Sequence, residues 1–273
     1  MSDGRKFNDI IEFLVAPDAE SNKYSRGVVG FATGSVEYPG AAVLGVTAAM
    51  RTGVGLVRYI GPSSVAAQVL NHRPETVTVP GGANAWVIGS GQPENSEPSE
   101  HQRDAINSGV PIVVDAGALN HAHITHSQTV ATPHVGELTR LLAANGYEVS
   151  PQQVSGAPAR YARIAAERFG CTFILKGSVN YIANQHGQLL TVGPTSPWLA
   201  TAGTGDVLAG ILGALLATNS RMLEAHPDRL IEIAAAAAVL HAEAASILAE
   251  RGPILALDLA DAVAAVVAGA FRV

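Results

Sequence analysis

Short unbroken runs of apolar residues alternate along this chain with longer stretches whose apolar positions recur at helical spacing. Val28–Thr33 reads as a buried strand, Gly34 and Ser35 as a turn, and Pro39–Arg51 as a helix with proline near its first turn. Gly55–Ile60, Ala85–Gly89 and Pro111–Asp115 are predicted as the next strands, with helices at Ser63–Leu70 and Glu100–Asn107 between them. Thr129–Thr132 is a further short strand, ended by Pro133 and followed by a helix through Leu142, and Pro158–Phe169 is helical again. This alternation predicts a parallel, doubly wound sheet, because a parallel neighbour is reached only by a crossover.

Downstream the pattern changes. Thr172–Lys176 and Asn180–Ala183 read as strands around Gly177, and Gln188–Val192 can pair with the second across the turn Asn184–Gly187, giving a late antiparallel edge. Three Ala-rich helices follow, near Asp206–Ala217, Leu230–Glu250 and Leu257–Ala270. No internal repeat or long linker interrupts the chain, and the polar stretch Gln92–Ser99 reads as a surface loop. Residues 1–273 are therefore expected to form a single α/β domain, with residues 1–23 a flexible or peripheral N-terminal segment.

Composition supports a large core: hydrophobic residues make up 48% and charged ones 15% of the chain, which excludes disorder as the global state. Aromatics are only 5%, so the core must be built from small and branched side chains with closely approaching backbones. The net charge of −6 and the absence of a Lys/Arg run give no footprint for nucleic acid. Phosphorylated small molecules remain open, since helix-start N–H groups bind anions whatever the net charge. The single Cys171 excludes an intramolecular disulfide and reads as a small buried hydrophobe. Met1–Asp9 lacks an apolar signal core, and every long apolar helix meets charge before spanning length, so a cytoplasmic location without a membrane partner is expected.

The segment richest in chemistry is Thr201-Ala202-Gly203-Thr204-Gly205-Asp206-Val207-Leu208-Ala209-Gly210, a Gly-rich turn running straight into an apolar helix. Glycines let the backbone approach a phosphate, and the first N–H groups of the helix have no partner of their own, so Gly203, Thr204 and Gly205 form a candidate anion hole. Asp206 fits two roles there: a base accepting the proton of an attacking hydroxyl, or an N-cap that only steadies the helix. The segment is neither a GxGxxG dinucleotide fingerprint nor a P-loop. Lys176-Gly177, after an apolar strand, offers a cation to a nucleotide phosphate, or is a surface lysine at a strand end. Thr132-Pro133-His134-Val135-Gly136-Glu137 puts His134 and Glu137 at the carboxyl edge of the sheet, where open α/β sheets bind ligands, though the same pattern is ordinary helix capping. Asp115, at the end of another strand, either orients a ligand or caps a turn. His121, His123 and His126 have no regular ligand spacing and read as a solvated polar loop; His241 and Glu243 read as exposed or locally paired. No metal site of the chain's own is expected.

Taken in order, YPGAAVLGVTAAMRTGVGLV, IGSG, VVDAGAL, TPHVGEL, ILKGS and TAGTGDVLAGIL resemble the successive motifs of the ADP- or ATP-dependent NAD(P)H-hydrate dehydratases, from Tyr24 to the last helix. GTGD alone would point only to the wider ribokinase-like group; the ordered set is specific. The resemblance implies a ribokinase-like α/β fold, a central mostly parallel sheet flanked by helices on both faces. It implies dehydration of NAD(P)H hydrate (NADHX or NADPHX) with ADP or ATP as co-substrate and Mg²⁺ as the nucleotide's companion. Lys176, Gly177, Ser178, Val179, Asn180 and Gly205 would contact the adenine nucleotide; Ala41, Gly91, His134 and Asp206 the hydrated dinucleotide, with Asp206 catalytic. Members commonly carry Thr at position 180 and Pro at position 90. The stretch before Tyr24 is too short for the epimerase domain often fused in that family, so a separate epimerase is the expected functional partner, and the Ala-rich helices suit a homo-oligomer. The competing expectations are a small-molecule kinase of the same fold, releasing a stable phosphoester, and a nucleotide sensor without turnover.

Overall fold

The computed structural model describes residues 3–94, 96–124 and 128–271. Its strands are β1 (Asp3–Gly4), β2 (Val28–Ala32), β3 (Leu56–Tyr59), β4 (Ala85–Ile88), β5 (Ile112–Val114), β6 (Thr129–Ala131), β7 (Thr172–Leu175), β8 (Asn180–Ala183) and β9 (Leu189–Val192). They form one sheet in the order β1-β9-β8-β7-β6-β5-β4-β2-β3. From β3 across to β7 every pairing is parallel; β8 is antiparallel to both β7 and β9, and β1 runs parallel to β9 outside it. The order reverses at β2, which leads to β3 on one side while β4 lies on the other. In open α/β sheets such a switch point leaves a crevice at the carboxyl ends of the strands.

The helices are α1 (Gly40–Thr52), α2 (Ser63–His72), α3 (Glu100–Asn107), α4 (Val135–Ala144), α5 (Pro151–Gly156), α6 (Pro158–Phe169), α7 (Thr204–Thr218), α8 (Ser220–Ala225), α9 (Leu230–Ala249) and α10 (Ala256–Ala270). Side chains of successive strand residues point to opposite faces, and the core divides accordingly. Val29, Phe31, Val87, Val113, Val130 and Ile174 join the core built with α1, α7, α9 and α10. Their neighbours Trp86, Ile88, Ile112 and Val114 pack with α3, while Ala131, Phe173 and Leu175 pack with α4 and α6. Both faces are therefore covered, which is why the strands are unbroken apolar runs rather than alternating ones.

Where α1 meets α7 the helices approach to backbone contact. A Cβ on Gly210 would lie 2.2 Å from the carbonyl oxygen of Gly45, so only glycine fits at 210. This crossing holds the first turns of both helices side by side: Leu44 of α1 lies against Gly203, just before α7.

Three expectations are corrected. The N-terminal segment is not peripheral throughout: a 3-10 helix at Phe7–Phe13 buries Ile10 and Phe13, at 1% and 2% exposure, and β1 extends the sheet. Its polar residues hide a spacing that only this packing uses. Pro227–Ala249 is long and apolar enough to cross a membrane by length and composition, against the expectation that charge would interrupt it; 72% of its apolar window is buried within the chain. Ala234–Ala238 of α9 thus pack inside the chain and supply no subunit surface. His121 and His123 belong to a 3-10 helix, Ala116–Ile124, where a loop was expected, and half-buried His121 has Nε2 3.1 Å from the carbonyl of Ser96. His126 is outside the described residues.

Candidate active site

The site is assembled at the carboxyl ends of the strands from the turn before α7. Gly203 is the N-cap of α7 with φ 90°, a left-handed conformation that glycine adopts without strain. The Thr204 hydroxyl ties the turn together, donating to the carbonyls of Leu199 and Thr201, each at 2.9 Å. The amide of Thr204 is shared with Thr201 and that of Val207 with Gly203. The N–H groups of Gly205 and Asp206 fall in the turn where helix geometry provides no acceptor, and the helix dipole adds positive potential there. A Cβ on Gly205 would lie 3.3 Å from Lys176 Nζ, so that ammonium rests directly against the candidate anion hole.

Lys176 is not a surface lysine. Its Nζ is 3.0 Å from Asp115 Oδ1 and 3.9 Å from Glu137 Oε2, and Asp115 is 2% exposed. The Asp115 carboxylate also accepts from Thr132 Oγ1 at 2.7 Å and Ser90 Oγ at 2.9 Å. Burial opposes its charge, but Lys176 and these hydroxyls win and hold Asp115 below the usual carboxylate range. Burial likewise works against the charge of Lys176, and the carboxylates of Asp115 and Glu137 more than offset it. Asp206, in the first turn of α7, is the opposite case. Burial, then the nearby negative charges of Asp115 and Glu137, outweigh Lys176 and push its pKa up to about 7. One lysine serves three carboxylates, and Asp206 is left to exchange a proton near neutrality.

His134 is the N-cap of α4. Its Nδ1 accepts from the amides of Gly136 and Glu137, at 3.0 and 3.3 Å, while Glu137 Oε2 accepts from the His134 amide at 2.7 Å. The capping reading is therefore realised. The ring is still half exposed, and backbone pairing of His134 with Lys176 sets α4 beside the end of β7. A cavity of about 690 Å³ opens here, in the range of small-ligand sites. His134, Lys176, Gly177, Ser178, Asn180, Thr204 and Gly205 line it; Val179 does not. Asn180 is buried and accepts from the Gly177 amide at 3.4 Å, closing the turn that forms one wall.

Ala41 and Gly91 meet at the start of α1. A Cβ on Gly91 would sit 2.4 Å from Ala41 Cβ and 3.3 Å from Gly34 Cα. Gly34 opens onto a second cavity of about 580 Å³, at the switch point between β2 and β4, walled also by Gln92 and Gln102. Sequence reasoning brought Asp206, Gly205, Lys176 and His134 together but missed His241. That residue is neither exposed nor locally paired: it is 6% exposed, lines the first cavity, and has Nε2 2.9 Å from the Thr204 carbonyl. A lone histidine in a run of alanines was the available signal, since a buried ring needs a partner.

The profile of the family described as NAD(P)H-hydrate dehydratase matches residues 29–265. An ADP-dependent (S)-NAD(P)H-hydrate dehydratase of Neisseria meningitidis is 30% identical over 266 residues, covering 90% of this chain and 85% of the relative. The bifunctional NAD(P)H-hydrate repair enzyme of Corynebacterium glutamicum is 34% identical over 284 residues, covering 92% of this chain and 49% of that protein. The chain spans about half the length of the bifunctional relatives it matches. Among solved structures, the ADP/ATP-dependent NAD(P)H-hydrate dehydratase of Bacillus subtilis, co-crystallised with ATP/Mg²⁺, superposes with a TM-score of 0.82 at 26% identity, covering 98% of this chain and 99% of that one. A ribokinase-like superfamily protein of Enterococcus faecalis shares the fold, with a TM-score of 0.82 at 21% identity over 98% of this chain and 96% of that one. By the matched profile and the Neisseria relative, this chain belongs to the NAD(P)H-hydrate dehydratase family.

Proposed function

We propose that the chain, as a single domain, catalyses dehydration of (6S)-NAD(P)H hydrate to NAD(P)H at the expense of ADP or ATP. The observation that carries the reading is Asp206: a carboxyl whose pKa is pushed up to about 7, in the first turn of α7, next to Gly205 of the cavity wall and within the field of Lys176. The nucleotide takes the first cavity, with its phosphates at Lys176 and the N–H groups of Gly205 and Asp206, and with Gly177, Ser178 and Asn180 beside its remainder. The hydrated ring lies toward Ala41, Gly91 and His134. Asp206 takes the proton of the ring hydroxyl as that oxygen attacks the terminal phosphorus, whose bond to the bridging oxygen breaks. The phosphorylated oxygen then leaves as phosphate, pushed by the ring nitrogen, and loss of the neighbouring ring proton restores the dihydronicotinamide. Balanced over both steps, ADP and hydrate give AMP, phosphate and NAD(P)H.

Mg²⁺ fits the donor chemistry, because hard carboxylate oxygens outnumber Lys176 at the phosphate end of the cavity. Among the described residues no three His, Cys, Asp or Glu side chains form a metal cage, so the ion would be held by the phosphates and water. When bound it neutralises charge on the transferring phosphoryl group. In this reading the enzyme works in the cytoplasm as a homo-oligomer, without membrane or nucleic-acid partners, and shares its substrate with an epimerase that interconverts the hydrate's epimers.

The test is incubation with hydrated NADH and ADP or ATP, read by NADH absorbance and by mass spectrometry. NADH with one phosphate per turnover is the expected result. A stable phosphoester of another metabolite would make the protein a kinase of this fold, and nucleotide binding without any turnover would make it a sensor.

A further inference from the structure

His241 is the buried polar group at the site that this mechanism does not use. It sits within α9, surrounded in sequence by alanine, leucine and valine, and its Nε2 reaches the carbonyl of Thr204, 37 residues earlier, at 2.9 Å. A carbonyl only accepts, so Nε2 carries the proton and donates, and Nδ1 is left unprotonated. Burial pushes the ring's pKa down to about 4, so it is neutral at the pH where Asp206 exchanges its proton. The hydroxyl of Thr204 is tied to Leu199 and Thr201 within its own turn. His241 is thus a side-chain tie from another helix onto the first turn of α7, and it crosses to the residue immediately before Gly205 and Asp206. Phosphoryl transfer is sensitive to such placement: a shift of about 1 Å at a reacting group costs roughly 10²-fold in rate.

We propose that His241 is a positioning residue for this reaction: from α9 it donates to the Thr204 carbonyl and so fixes the turn that aims the Gly205 amide and the Asp206 carboxylate at the reacting groups. This rests on the dehydratase reading above. Most of the nucleotide cavity's wall comes from the turns at Gly177–Asn180 and Thr195–Ala202, while His241 lines it beside Thr204 and Gly205; because transition-state stabilisation is more sensitive to small displacements than ground-state binding, its loss is expected to act more on kcat than on KM for ADP.

Two variants separate hydrogen bonding from packing. His241→Gln keeps an N–H within reach of Thr204, and His241→Met keeps length and apolar volume without a donor. With hydrated NADH and ADP, the Met variant is expected to lose about 10–100-fold in kcat, with KM for ADP within about 3-fold of the parent and an unchanged circular dichroism spectrum, and the Gln variant to recover most of that loss. A Met variant with parental kcat, or a Gln variant as slow as a folded Met variant, would overturn the proposal. Should the Met variant not fold, ¹⁵N NMR of the imidazole in the unsubstituted protein decides: an Nε2-protonated neutral ring is expected, and an Nδ1-protonated or charged ring at pH 7 overturns the assignment. Failure of the unsubstituted protein to turn over hydrated NADH would instead overturn the function on which this rests, a result distinct from a working enzyme indifferent to His241→Met.

Discussion

At the scale of single residues the site is an allocation of one positive charge among three carboxylates. Lys176 neutralises Asp115 most closely, and Asp206 keeps a pKa near the working pH, where a base combines availability with strength. The rate kcat/KM for hydrated NADH is accordingly expected to fall with unit slope as pH drops below about 7, because the protonated carboxyl accepts nothing. Asp206→Asn should abolish turnover, by the roughly 10²–10⁴-fold or more that a missing base costs, while remaining folded. It should do more than remain folded. A carboxyl whose folded pKa of about 7 exceeds its ordinary value of 3.8 contributes stability below that ordinary value and loses it as pH rises through 7. The Asn variant is spared that loss, so its thermal midpoint relative to the parent should climb between pH 5 and pH 8. A midpoint difference that stays flat with pH, or retention of a tenth of the rate, would remove Asp206 from the role of base. A surface lysine at a strand end would be removable without harm to the fold. The buried pair with Asp115 reverses that expectation: Lys176→Met strands a buried carboxylate and should cost about 3–5 kcal/mol in urea unfolding, along with weaker nucleotide binding seen by calorimetry. An unchanged unfolding midpoint would mean that Asp115 finds its proton elsewhere.

At the scale of elements, the site depends on where two helices cross. α1 carries Ala41 and α7 carries Asp206, and the near contact of Gly45 with Gly210 fixes how closely the two first turns sit. Gly210→Ala would normally favour a helix by up to about 1 kcal/mol. Here the added methyl meets the Gly45 carbonyl at 2.2 Å, and α7 must move. The expected outcome is a loss of about 1–3 kcal/mol, as for overpacking generally, together with a lower kcat, since the displaced helix carries Asp206, the proposed base. A variant more stable than the parent would show that the crossing is looser than its geometry. Elements of this length were legible from sequence because strand runs and helical periodicities are long enough to average out single residues: α3, α6 and β8 begin and end where the pattern puts them. The short α5 and α8 and the 3-10 helix at Ala116–Ile124 were not, since one or two turns give no periodicity and are made by packing rather than by propensity. The same limit applies to the site. The turn before α7 announced itself through its glycines, whereas the reach of His241 and the pairing of Lys176 with Asp115 join residues far apart in the chain, and no local pattern encodes which strand ends become neighbours.

At the scale of the whole molecule, the segment that sequence assigned to the periphery closes one end of the sheet. β1 pairs with β9, and the 3-10 helix at Phe7–Phe13 lays Ile10 and Phe13 into the core shared by α9. Two polar side chains fasten it. Asn219 Nδ2 donates to the Phe13 carbonyl at 3.0 Å, and the Arg229 guanidinium stacks over the Phe13 ring at 4.8 Å while bonding Glu12 and Glu232. A segment held only by its ends would fray at little cost, but a ring exposed by 2% is part of the folding unit. Phe13→Ala empties that space and removes the surface on which Arg229 rests, so a destabilisation of about 3–5 kcal/mol is expected, the range for large-to-small changes at buried aromatics. Urea unfolding distinguishes the two views of this segment. If it belongs to the core, the midpoint falls with the slope unchanged, because the whole chain still unfolds together. If it is peripheral, the midpoint moves by less than about 0.5 kcal/mol equivalent, as for ordinary surface substitutions. The site itself should be spared in either case: below the melting transition, Phe13→Ala should bind ADP with parental affinity, because none of the residues lining the nucleotide cavity lies in the first 13 positions. A core-sized loss of stability with unchanged ADP affinity would show that the N-terminal segment is a structural strap, and a loss of affinity at temperatures where the variant is fully folded would tie it to the site instead.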